Sequence, residues 1–432
     1  MTTTRNSGAT TPHKHQVSDA AATAVVGVKK IFQAEGGNYF LLLGTTVFLV
    51  VFGLVMVLSS SSVESHLESN SFFASFTRQG LYALIGVPVM LVASRMPLTF
   101  WKRWAWPALF VGLGLQLLVF SPLGYAYGGN RNWINFGSFS AQPSELLKLA
   151  LIVWIAFILT QKASLLGDWK HVLLPIGPVA IFAIGLVLIG NDLGTAIIMF
   201  SMVFGALFFA GVKLRYLATG ISVLAVLGIL FAFASSSRTS RISAWINGCT
   251  PADYEGFCWQ PTHGNWALAS GGAFGVGLGN SKAKWSWLPE ADNDYIFAII
   301  GEELGLIGAI VVLVMFVVLA LSFVRIIRSS TDRFARVVTS GVMIWIIGQA
   351  LVNIAVVLQL LPVLGVPLPL ISAGGSALIS TLLAIGVVLS FAREPRNAPT
   401  EPVAQSPAER SRLAATQRTR AASPAAPQRT KR

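Results

Sequence analysis

Ten apolar runs, separated by shorter polar stretches, set the rhythm of this 432-residue chain. They fall at about 39–59, 79–95, 104–121, 145–160, 172–189, 193–210, 216–234, 296–322, 336–358 and 368–391. Most approach the roughly 20 residues that an α-helix needs to cross a bilayer core of about 30 Å. In lipid, only helices and closed barrels satisfy the backbone, and nothing here alternates with a barrel's period of two. The pattern predicts an all-α polytopic membrane protein with about ten transmembrane helices. One large soluble loop, about 235–295, precedes the eighth run.

Composition agrees. Hydrophobic residues make up 54% and charged residues 11%, where a soluble domain carries about 25% charged residues. The formal net charge is +13, but the cations are spread over short loops and the C-terminal tail. That spread fits membrane orientation better than a nucleic-acid groove, so no nucleic-acid partner is expected. Lys29, Lys30, Lys102, Arg103, Lys162, Lys170, Lys213, Arg215, Arg325, Arg328, Arg333 and Arg336 fall on alternate connections. By the positive-inside rule those connections and both termini are cytoplasmic, and the 235–295 loop is extracellular. Residues 1–38 read as a flexible cytoplasmic segment without an early apolar signal-peptide core. Residues 39–392 read as the membrane domain. Residues 393–432, rich in Pro, Ala, Ser, Gln and Arg, read as a disordered basic tail.

Both cysteines, Cys249 and Cys258, lie in the outer loop. Outside the cytoplasm a disulfide forms and persists, so a bridge pinning a short hairpin is expected over two separate thiols.

Charges in or beside apolar spans are costly, which makes them functional candidates. Glu145 and Lys148, in "QPSELLKLA", are three apart and share a helix face, so they suit a structural ion pair or a substrate-facing role. Asp192, in "GNDLGTA", suits a helix cap. Glu302 and Glu303 sit inside the span that starts near 296. Asp294, in "LPEADNDYIF", sits at that span's outer mouth. It suits a plain N-cap, or a base whose pKa is raised by a low-dielectric border. Arg241, Lys282 and Lys284 lie upstream in the same loop and can hold a phosphate-bearing substrate. Metal-site spacing is absent: the acids lack the rest of a calcium loop, and the five histidines lack zinc spacing. The glycine run "GGAFGVGLGNS" is no phosphate-binding loop and reads as tight packing or close substrate approach.

Four stretches together resemble the SEDS family (shape, elongation, division and sporulation), and they look more like its division member, FtsW, than its elongation paralogue, RodA. They are "GGNRNWINFGSFSAQPSELLKLA" (128–150), "NDLGTA" (191–196), "GGAFGVGLGNSKAKWSWLPEADNDYIFAIIGEELGLIGA" (271–309) and "LPVLGVPLPLISAGGSALIS" (361–380). The resemblance implies a ten-helix fold and a peptidoglycan glycosyltransferase that polymerises lipid II at the outer face of the plasma membrane during cell division. It puts Asp294 at the position of the family's proposed catalytic acid, in a stretch usually written LPE-x-H-T-D-F. Here Asp292 stands for the His, Asn293 for the Thr and Tyr295 for the Phe. It also makes Arg131, Glu145, Lys148, Arg241, Lys282, Lys284, Glu302, Ser372, Gly374 and Gly375 candidates for holding substrate, with no fixed metal and a divalent cation as an optional cofactor. The implied partners are lipid II and the nascent glycan, a class B penicillin-binding protein and other division proteins. A lipid II flippase and a RodA-type elongation polymerase are the alternatives.

Overall fold

The ten predicted runs all become helices. The computed structural model describes residues 36–393, apart from 128, 138, 234, 235, 249–253, 255 and 286. The expectations for the two terminal segments lie outside these residues. In chain order the helices are α1 (Gly37–Ser69), α2 (Ala74–Ala93), α3 (Leu98–Arg103), α4 (Ala105–Leu118), α5 (Pro143–Gln161), α6 (Trp169–Ile189), α7 (Leu193–Phe209), α8 (Leu214–Phe233), α9 (Ser236–Asn247), α10 (Trp259–Gly271), α11 (Ile296–Ser329), α12 (Arg333–Val357) and α13 (Ser376–Ala392). Six of them (α1, α2, α5, α6, α11 and α12) are long and apolar enough to cross a membrane, and α4, α7, α8 and α13 are shorter apolar helices.

Local chemistry sets the helix ends. Asp168, Asp192 and Asp332 cap α6, α7 and α12 by accepting hydrogen bonds from first-turn amides. Pro143 opens α5, where a missing N–H costs nothing. α1 runs ten residues past its predicted end and stops at Asn70, which takes the left-handed conformation (φ 56°). At 1.5 Å per residue this helix outruns the hydrocarbon core.

Three features depart from the sequence reading. The run predicted as helix from 368 is helical only from Ser376. Pro362, Pro367 and Pro369 lack the amide that a helix needs, and Gly365, Leu370 and Gly375 take positive φ. Residues 359–375 therefore cross the protein as irregular backbone. The outer loop contains two helices, α9 and α10. Finally, a small antiparallel sheet, β1 (Gly124–Tyr127), β2 (Asn130–Phe136) and β3 (Phe139–Ala141), forms the connection between α4 and α5. Tyr125 pairs with Trp133 and Asn135 with Ser140. Its strands are too short to stand out from a membrane chain's hydropathy.

The irregular 359–375 segment threads between helices that approach it through glycine. A Cβ at Gly53 of α1 would lie 2.6 Å from the Ile371 Cα, and one at Gly194 of α7 would lie 2.5 Å from the Leu364 carbonyl oxygen. The glycine run after α10 packs in the same way. A Cβ at Gly275 would lie 2.2 Å from the Glu303 carbonyl oxygen. The Val276 and Gly277 amides donate to the Glu302 and Glu303 carbonyls at 3.0 Å each, where α11 breaks at Gly305 (φ 67°). Tight packing thus accounts for Gly271 and Gly275, whereas Gly272 and Gly279 have open space around a Cβ and take positive φ of 54° and 81°.

Gly53→Leu is expected to destabilise the protein by about 1–3 kcal/mol through overpacking. Thermal unfolding in detergent measures this, and an unchanged midpoint would mean that α1 yields without resistance.

Candidate active site

Asp294 lies one residue before the cap of α11, half-buried, at the end of the helical bundle predicted to face outward. Its backbone is fixed from three sides. The Asn353 side-chain amide donates to the carbonyls of Asp294 and Val366 at 2.7 Å each. The Ser372 hydroxyl donates to the Asn293 carbonyl at 2.7 Å and accepts from the Leu368 amide at 2.8 Å. The Ala373 amide donates to the Asp292 carbonyl at 2.9 Å. Glu290 and Leu370 take left-handed φ of 57° and 67°, which for residues with a Cβ costs on the order of 1–3 kcal/mol each.

The Asp294 carboxylate itself makes no hydrogen bond or ion pair among the described residues. Burial pushes its pKa up to about 7, helped by the charges of Glu290, Asp192 and Asp292 and opposed by Arg241. A carboxyl poised near neutrality with open oxygens suits proton acceptance. Its acidic neighbours are engaged elsewhere. Glu290 accepts from the Tyr127 hydroxyl at 3.0 Å and the Asn293 amide at 3.2 Å. That link ties β1 to the acidic segment, and the Glu290 charge raises the Tyr127 pKa.

A second acid stands close by. Asp192 is buried, accepts from the Thr195 amide at 2.8 Å and from the Gln142 side chain at 3.0 Å, and burial raises its pKa. Behind it, Lys148 and Glu145 form a buried ion pair at 2.8 Å. The Lys148 ammonium also donates to Gln349 Oε1 at 3.1 Å and lies over the Trp345 ring, 4.6 Å from its centre. Gln349 turns its amide to the Pro367 carbonyl at 2.9 Å. One polar layer thus joins α5, α7, α12 and the irregular segment at the level of Asp294. Glu145 Oε2, Asn293 Oδ1, Asn353 Oδ1 and the Tyr295 hydroxyl are buried without a partner among the described residues, so this layer can still take up polar groups.

A family model described as "Cell cycle protein", for the FtsW, RodA and SpoVE group, matches residues 40–397. The chain belongs to this family. A Mycobacterium tuberculosis protein named probable peptidoglycan glycosyltransferase FtsW is 37% identical over 357 residues, which are 82% of this chain and 68% of that protein. A Geobacter metallireducens protein of the same name is 39% identical over 355 residues, 82% of this chain and 94% of that one. Among solved structures, a chain of a peptidoglycan synthase complex that coordinates polymerization and crosslinking superposes with a TM-score of 0.67 at 24% identity, covering 81% of this chain and 96% of that one. Thermus thermophilus RodA gives 0.61 at 24% identity, covering 84% and 97%. The ten-helix membrane fold expected for the family is the fold observed.

The residues singled out in the sequence divide into groups. Glu145 and Lys148 stand in the polar layer beside Asp294. Arg241, exposed on α9, is near enough to lower the Asp294 pKa, and its guanidinium lies 5.9 Å from the centre of the Phe257 ring. Ser372 is buried and fastens the acidic segment, while Gly374 and Gly375 lead into the N-terminus of α13.

Glu302 and Lys284 belong to a separate buried hub. Lys284 pairs with Glu303 at 3.4 Å and donates to the Gly279 carbonyl at 2.7 Å. Glu303 also accepts from the Ser59 hydroxyl, and Glu302 accepts from the Ser281 hydroxyl and, at 2.9 Å, from the Lys282 amide. The hub clamps the glycine-rich loop to α1 and α11, which leaves the Lys284 charge turned inward. The Lys282 side chain remains exposed. Arg131 is committed to the C-terminal end of α4, donating to the Val119 and Ser121 carbonyls at 3.2 Å each. Cys258 is buried and disulfide-bonded, whereas Cys249, its expected partner, lies outside the described residues.

Sequence reasoning passed over Gln142, Gln349 and Asn353. The signal was available for two of them: Gln349 and Asn353 are polar, four apart and inside an apolar run, so they share one helix face.

Lys148→Met is expected to cost about 3–5 kcal/mol, because it strands the Glu145 carboxylate without a partner. Adding Glu145→Gln is expected to restore most of that stability, with thermal unfolding in detergent as the readout. An equally unstable double variant would mean that packing around Trp345, and not charge, dominates.

Proposed function

We propose that this chain is a peptidoglycan glycosyltransferase of cell division, with Asp294 as its general base. The observation that carries this reading is the open Asp294 carboxylate, held in place through its backbone and raised in pKa to about 7. The shared name of the relatives supports the reaction class and the division role. Clustering of Glu145, Lys148, Asp192, Gln349 and Asn353 at one end of the bundle favours chemistry at that face over transport across it.

In this reading the acceptor is the 4-hydroxyl of the N-acetylglucosamine of lipid II. Asp294 removes its proton as the oxygen attacks the anomeric carbon of the growing chain. The new C–O bond forms with inversion, giving the β-1,4 link. The bond to the diphosphate breaks, and its electron pair leaves on undecaprenyl diphosphate. Arg241, exposed and near enough to act on Asp294, is the candidate to balance that charge, and Lys282 is a second exposed cation of the same outer loop. A divalent ion, if used, would arrive ligated by the diphosphate, since among the described residues no three His, Cys, Asp or Glu side chains gather to hold one. Both substrates are lipid-anchored, so an acid where the helices meet water is placed to reach them. A class B penicillin-binding protein is the proposed partner at the division septum, supported by the fold shared with a chain of a peptidoglycan synthase complex.

Glycan polymerisation from purified lipid II tests the assignment, using protein co-purified with its transpeptidase after the latter's own active site is disabled. Asp294→Asn is expected to lose about 10²–10⁴-fold in rate while remaining folded. Full activity in that variant would remove Asp294 from catalysis and make Asp192 or Asp292 the next base to test.

The wild-type rate is expected to rise with pH and level off above about 7, because only the deprotonated carboxylate accepts the proton. Arg241→Gln removes the charge that holds the Asp294 pKa down, so the same limb is expected to move to higher pH. A limb that stays in place would separate Arg241 from Asp294 electrostatically.

A further inference from the structure

At the end of the bundle opposite Asp294, a cavity of about 170 Å³ opens between the C-terminal ends of α5 and α7 and the N-terminus of α12. Leu159, Leu166, Phe209 and Val337 give it apolar walls, and Thr160, Arg333 and Arg336 give it polar ones. Arg333 and Arg336 are three apart on one helix, and neither guanidinium has a hydrogen-bond or ion-pair partner among the described residues. The acid closest in sequence, Asp332, is already committed. It pairs with Lys102 at 2.9 Å and caps the Phe334 and Ala335 amides. A third cation borders the rim, since the Lys213 ammonium lies 3.8 Å from where a Cβ on Gly167 would stand, next to Leu166. This end also carries most of the loop cations, which by the positive-inside rule places it at the cytoplasmic leaflet.

We propose that this cavity binds the phosphate of an anionic phospholipid of the inner leaflet. Two unpaired guanidiniums offer forked donors that match phosphate oxygens. Apolar walls beside them suit an amphiphile better than a free ion, and basic pockets between transmembrane helices on the cytoplasmic side are a known form of lipid recognition. A lipid seated there would bridge α5, α7 and α12. At their other ends these three helices carry Glu145 and Lys148, Asp192, and Gln349 and Asn353.

Native mass spectrometry of the full chain tests the site. The detergent-purified protein is titrated with phosphatidylglycerol, with phosphatidylethanolamine and with inorganic phosphate, and thermal unfolding is followed in parallel. Wild type is expected to retain one phosphatidylglycerol and gain thermal stability from it. Arg333→Gln/Arg336→Gln is expected to bind it on the order of thirtyfold more weakly, at about 1 kcal/mol per cation. Arg328→Gln, which removes an exposed charge of α11 outside the cavity, is expected to bind as wild type does. Arg333→Lys/Arg336→Lys keeps the charge if the glutamine variant fails to fold, and is expected to fall between the two.

Equal lipid retention by wild type and by the cavity variants would overturn the proposal. So would an equal loss in Arg328→Gln, which would reduce the effect to bulk charge. Stabilisation by inorganic phosphate as strong as that by phosphatidylglycerol would overturn the lipid assignment in favour of a free-anion site.

Discussion

Backbone that is not helical must find hydrogen-bond partners wherever water is scarce, and the 359–375 segment imposes that demand on the whole outer half of this protein. Three prolines keep it from coiling. Its carbonyls are met by side chains sent from neighbouring helices. Gln349 serves Pro367, Asn353 serves Val366, and Gln79 of α2 serves Ser372 at 3.0 Å. The acidic segment draws on the same donors, because Asn353 also holds Asp294 and Ser372 also holds Asn293. Satisfying an irregular segment and aiming a carboxylate are therefore one piece of construction.

The carboxylates in and beside α11 meet two fates in this fold. Glu302 and Glu303 accept hydrogen bonds from Ser281, the Lys282 amide and Ser59, with Lys284 as counter-ion, and so act as fasteners. Asp294 receives none of this. Its main chain is fixed while its oxygens stay open among three other acids, an arrangement that raises its affinity for a proton. Electrostatics thus separates the acid suited to chemistry from the acids that hold the frame, although Asp294, Glu302 and Glu303 lie within ten positions of one another along the chain.

Much of this was legible from hydropathy and spacing. The ten runs, the Glu145–Lys148 pair and the cap at Asp192 follow from local rules: a helix must match the bilayer thickness, residues three apart share a face, and an aspartate before a helix meets its free amides. Those rules act over one or two turns and need no knowledge of the fold. "LPEADNDYIF" likewise announced an acid at a membrane mouth.

Its neighbours were beyond such rules. Asp192 lies about a hundred residues before Asp294, and Asn353 about sixty after it, so only the packing of α7 and α12 against the acidic segment brings them together. The same limit explains Lys284, a candidate phosphate ligand by its place in the outer loop, whose ammonium the fold turns toward Glu303. It explains Arg131 too, whose guanidinium is taken up by the end of α4. Sequence alone determined which residues could be buried and at what depth, because hydrophobicity and helix geometry are local. Tertiary structure decided which charges were paired and which were left open, because a charge's partner is set by distance in space and not by position along the chain.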